Sequence, residues 1–269
     1  MIIVSVSFSG ANELTQREDI LDFLRKNPKA EIGFGVSEGR GGKINDERFN
    51  HIMGVQRLVR RHYEAGKIGT IGLHVWGVGT DGKDGWPYRV LACKIPENLE
   101  KMIGFPNTSL QINFSNYDIP VKMADKFLQC PGTCQNLHNC RIRMQYNIQS
   151  KAFIERIVES GQRDTELMTK CGLVKPDIIF DESHGNGILP EKYSPPVFRN
   201  LRHIYAGGLG PGNIYGELTK ISEAQKDFNS VIGVDMEGGV RTDDGKTLDL
   251  NKADIVYGKV MQWVKDNQY

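Results

Sequence analysis

Two stretches near the C-terminus are suited to chemistry: AGGLGPGNI (206–214) and DMEGGVRTDDGK (235–246). Each sets a glycine pair just behind an apolar run, Gly207-Gly208 directly after RHIYA and Gly238-Gly239 one residue, Glu237, after VIGVDM. Glycine lets a main chain approach a ligand closely. Bare N–H groups ahead of a helix then make a place for an anion. A phosphate group is therefore expected at Gly207, Gly208, Gly238 and Gly239. Proton chemistry has its own candidates. Asp181 and Asp235 each end an apolar run, and His184 follows Asp181 by three residues in a Gly-containing loop. An imidazole there can give or take a proton near neutral pH. His74 closes a third run, and the loop GVGTDGKDGWPYR (77–89), with Trp86 and Tyr88, reads as a candidate lid.

Something must bring these residues together. Eight short apolar runs have strand character: 2–7, 31–36, 69–76, 108–114, 141–147, 176–181, 202–206 and 231–236. Helical spacing occupies 15–27, 45–66, 96–103, 120–129, 151–160, 164–172, 212–228 and 251–267, while 190–200 reads as loop. A Thr15 start with an acid three residues on suggests a capping box for the first helix. Eight strands alternating with helices in 269 residues fit a single-domain (β/α)8 barrel, which typically takes about 250. A doubly wound open sheet is the alternative. No Gly-rich dinucleotide fingerprint follows the first run, which weighs against that sheet, and no cofactor is expected. Parity within the strands agrees with a barrel. Ser5 and Ser7 oppose Val4 and Val6, Gln111 and Asn113 oppose Leu110 and Ile112, and Arg143 and Gln145 oppose Ile142 and Met144. Polar residues at strand C-termini would converge on the mouth, where barrel enzymes keep their chemistry. His74, Asn113 and Gln145 are accordingly expected to touch substrate.

On these residues the chain resembles the phosphoribosylanthranilate isomerase family. The family's strand-seven block matches Gly207, Gly208, Leu209, Pro211, Asn213 and Ile214. Its strand-eight block matches Val234, Asp235, Gly239 and Val240, and its strand-six block matches Ile178, Ile179, Phe180 and Asp181. Strand two would supply Gly33, Phe34 and Arg40, the last as a substrate contact. The resemblance implies an Amadori rearrangement of a phosphoribosyl amine, with Asp181 as the acid that protonates the furanose oxygen. Where the family carries a cysteine base on strand one, the aligned residue here is Ser7, and His184 or Asp235 is expected to act as base. The alternative is a catalytically degenerate barrel that keeps only an anion pocket.

Composition narrows the rest. Thirty-four basic against 33 acidic side chains give a formal charge of +1, which argues against nucleic acid as a partner. No apolar run approaches the roughly 18 residues of a membrane span, and MIIVSVSFSG lacks a basic n-region, so neither a membrane partner nor export is expected and a cytoplasmic location is. The partner expected is a small phosphorylated molecule; composition does not speak to oligomeric state. Five cysteines do not suggest a secreted disulfide framework. Cys130, Cys134, His138 and Cys140 crowd into CPGTCQNLHNC (130–140), at a spacing unlike the usual zinc pairs. They read as thiols in a connection, with a structural metal or disulfide as the alternative; no metal is expected at the mouth.

Overall fold

A computed structural model describes residues 2–37, 44–64, 66–77, 85–113, 119, 121–128, 137, 140–148, 150–163, 176–181, 186–199, 201–228 and 231–267. Eight parallel strands close into a barrel in sequence order, each paired to the next and β8 to β1. They are β1 (Ile2–Ala11), β2 (Ala30–Ser37), β3 (Thr70–Trp76), β4 (Thr108–Ile112), β5 (Arg141–Gln145), β6 (Asp177–Asp181), β7 (His203–Ala206) and β8 (Val231–Met236). The helices are α1 (Arg17–Lys26), α2 (Asp46–Arg61), α3 (Trp86–Leu91), α4 (Glu97–Ile103), α5 (Lys122–Leu128), α6 (Lys151–Arg163), α7 (Ile214–Ala224) and α8 (Leu250–Asn267). The chain is a (β/α)8 barrel, and the open sheet is excluded by the β8–β1 pairing.

The strands present two different faces. Val6, Phe8, Ile32, Phe34, Leu73, Val75, Leu110, Ile112 and Val234 join one apolar core with the helices. In α1 the residues Ile20, Leu21, Phe23 and Leu24 meet that layer, each worth about 1.5–3 kcal/mol of burial. The opposite parity points into the barrel, where branched apolar layers are the rule. Here the buried interior side chains include Ser5, Ser7, Ser9, Glu31, His74, Ser109, Gln111, Arg143, Gln145 and Asp177.

Local chemistry sets the element ends. The Thr15 cap does not form. Gln16 precedes α1 without a side-chain bond, and Thr15 Oγ1 instead shares a 2.7 Å hydrogen bond with Thr247 Oγ1. Asn45 does cap α2, its Oδ1 accepting from the amides of Glu47 (2.8 Å) and Arg48 (3.4 Å), which fixes Arg48 beside the mouth. β1 runs past Ser7 because Gly10, at φ +101°, takes up a register break between Ser9 and Ala11 against β2. The segment 164–172 lies outside the described residues, and described residues 190–199 contain no helix.

Candidate active site

A chain of polar groups runs up the barrel interior. At its foot Arg202 holds Asp177 through two bonds, one of them Nε to Oδ1 at 2.9 Å. Arg143 lies above, its Nε 3.4 Å from Asp177 Oδ2 and its Nη1 on Glu31 Oε1. Ser109 donates to Glu31 Oε2 at 2.6 Å and Ser7 to Oε1 at 3.1 Å. Glu31 and Arg143 are both almost fully buried. Burial alone would push the Glu31 carboxyl upward, but the Arg143 charge, His74 and the Ser109 hydroxyl hold it at about 2. Burial likewise opposes the Arg143 charge, and Glu31, Asp177 and Asp235 together raise its pKa above the usual arginine value.

Glycines make room for this chain. A Cβ on Gly33 would come within 2.6 Å of His74 Nε2, and one on Gly72 within 2.6 Å of Glu31 Oε1. His74 thus lies over a strip with no side chains, its Nε2 4.0 Å from Glu31 Oε1. Its Nδ1 is 3.2 Å from Ser9 Oγ, which in turn donates to Asp235 Oδ1 at 3.0 Å. Ser9 has one hydrogen, so giving it to Asp235 makes it the acceptor from His74 Nδ1–H. Burial pushes the Asp235 carboxyl above its usual range, against the pull of His74, Arg143 and the two serine hydroxyls.

Above this network the mouth has two lobes. The larger, about 610 Å³, is lined by Ser9, Arg48, His74, Trp76 and Asn113 among others. The smaller, about 280 Å³, is lined by Asp181, Asp235 and all four glycines Gly207, Gly208, Gly238 and Gly239. Glu237 and Arg241 border both. In register Asp181 pairs with Ala206 and Ala206 with Asp235. Two carboxylates therefore flank one methyl group, with Cα atoms about 10 Å apart at two strand spacings. Arg241 is ion-paired with Glu237, and across the larger lobe Arg48 pairs with Glu13 and donates to Gly35 O at 3.0 Å.

The glycine turns differ in what they do. A Cβ on Gly239 would lie 2.3 Å from Leu209 O, and one on Gly208 2.5 Å from Leu189 N. These two glycines let neighbouring loops pack on each other's backbone. A Cβ on Gly238 would meet nothing within 4 Å among the described residues, so Gly238 faces the lobe. Asn213 braces the turn before α7, accepting from Gly210 N at 2.9 Å and donating to Gly208 O at 2.8 Å.

The candidates named from sequence divide accordingly. Asp181, Asp235 and the four glycines share the smaller lobe; His74 and Asn113 line the larger. Ser7 lies deeper, bonded to Glu31, and Ser9 occupies the mouth position on β1. Gln145 is buried at the end of β5, its carbonyl accepting from Ser150 Oγ at 2.6 Å. Arg40 and His184 lie outside the described residues. Of the loop 77–89, residues 78–84 do as well, while Trp86 begins α3 and is buried in the core. Cys130, Cys134 and His138 are also outside. Cys140 is a free, buried thiol whose pKa burial pushes far up. Cys93 is disulfide-bonded. Among the described residues no three His, Cys, Asp or Glu side chains group to hold a metal ion, and no helix is long and apolar enough to cross a membrane. Sequence reasoning missed Ser9, Glu31, Arg48 and Arg241; the polar parity of β1 was the one signal that could have extended to Ser9.

The sequence matches no protein-family model and no curated protein. Fold and site define the chain as a (β/α)8 barrel with a polar, ligand-sized mouth at the C-terminal ends of its strands.

Proposed function

We propose that the barrel is a proton-transfer enzyme of the aldose–ketose isomerase type, acting on a phosphorylated sugar amine. The observation that carries this reading is the placement of Asp181 and Asp235 on either side of Ala206, in one lobe with Gly238 and the other turn glycines. An Amadori step needs an acid on one side of a sugar and a base on the other. Asp181 protonates the ring oxygen and opens the furanose; Asp235 removes the C2′ proton, and the enol collapses to the ketose. Asp235 suits the base because burial strengthens its basicity. Ser9 and His74 orient it. The phosphate rests at Gly238, with Arg241 released from the exposed Glu237 to meet it.

The test is an assay with phosphoribosylanthranilate, run beside a thermal-shift screen of sugar phosphates. Turnover is expected, and Asp235→Asn and Asp181→Asn are each expected to lower kcat by about 10²-fold or more. A shift in Tm without turnover would assign the barrel a binding role instead, and unchanged kcat in both variants would place the chemistry elsewhere.

A further inference from the structure

A separate cavity of about 330 Å³ opens at the other end of the barrel, where the strands begin. Ser5, Lys29, Glu31, Arg141 and Arg143 are among its walls. Charge there is unbalanced. Lys29, Arg141, Arg143 and Arg202 gather around two carboxylates, Glu31 and Asp177. Those two are already engaged, Glu31 by Arg143 and Asp177 by Arg202. Arg141 reaches Asp177 only at 3.9 Å, and Lys29 has no ion pair among the described residues. The second observation is Ser5. The residue is 7% exposed, and its hydroxyl has no hydrogen-bond partner among the described residues. It points into the barrel, since a Cβ on Gly233 would come within 2.7 Å of Ser5 Oγ. A buried hydroxyl left unpaired costs free energy that a ligand oxygen would recover.

We propose that this cavity is a second binding site, for a small oxyanion, with Ser5, Lys29 and Arg141 as its direct contacts and Arg143 behind them. An oxyanion supplies the acceptor that Ser5 lacks and offsets the two positive charges by which the four cations exceed Glu31 and Asp177. The site is independent of the mouth and of the reaction proposed there.

The probe is inorganic phosphate, titrated calorimetrically into the intact chain, with sulfate as a second oxyanion. Ser5→Ala removes an unpaired hydroxyl, and Lys29→Ala/Arg141→Ala removes two side chains of the cavity rim. Each is expected to weaken phosphate binding about tenfold or more, while Gly238→Val at the mouth leaves that binding step intact. Phosphate affinity unchanged in both foot variants overturns the site. So does binding lost only in Gly238→Val, a result that would support the mouth phosphate instead. No binding of either anion by the wild-type chain also overturns it.

Discussion

Glu31 and Arg143 show how much of the interior depends on one pair. They are 112 positions apart in sequence, yet each is nearly sealed from water and satisfied chiefly by the other. Removing one partner of a buried pair leaves an uncompensated charge and costs about 3–5 kcal/mol. Arg143→Met is therefore expected to lose that much in urea denaturation. Glu31→Gln should lose somewhat less, because Asp177 still faces Arg143 at 3.4 Å. The double variant should be less destabilised than the sum of the singles, since neither charge is then stranded. Strict additivity would show that the pair does not act as a unit. Little of this was readable in the chain. Arg143 showed as a polar residue of the right parity, but Glu31 opens the apolar run EIGFGV and looks like a strand end exposed to water. Burial of a charge depends on its partner, and no local pattern names a partner so far away.

Strands and turns carry a different lesson. Alternation in β4 and β5 was readable because side-chain period in a strand is fixed at two. The end of β1 was not. Gly10 reads as a stop, and the strand instead absorbs it at φ +101° and continues. That extension moves the mouth serine from Ser7 to Ser9. The two glycine turns line one lobe, but which glycine faces open space depends on packing that sequence does not state. Gly239→Ala should destabilise the chain by about 1–3 kcal/mol, because its Cβ would press on Leu209 O. Gly238→Ala, whose Cβ meets nothing among the described residues, should change stability by no more than about 0.5 kcal/mol. Thermal denaturation of the two variants separates these effects; equal losses would mean that the turns are not packed as described.

For the molecule as a whole, buried ionisable groups set the response to acid. His203 is fully buried at the start of β7, with Phe180 stacked on it at 5.6 Å. Desolvation lowers its pKa from 6.5 to about 4. Between those values the unfolded chain binds a proton that the native chain refuses, so stability falls as pH drops from about 6.5 toward 4. Glu31 adds a second decline. Its carboxyl is held at about 2 against an ordinary 4.5, so its stabilising contribution is complete above 4.5 and is lost as pH falls toward 2. Asp235, whose pKa burial raises, works the other way, favouring the native state as acid increases. Buried His51, whose pKa burial also lowers, adds to the first decline, so urea midpoints are expected to begin falling near pH 6.5 and to fall again below 4.5 as Glu31 is protonated. His203→Gln should shrink the first stage to the His51 share and leave the second, because an amide has no proton to refuse. A first stage of unchanged size in that variant would assign it to groups other than His203.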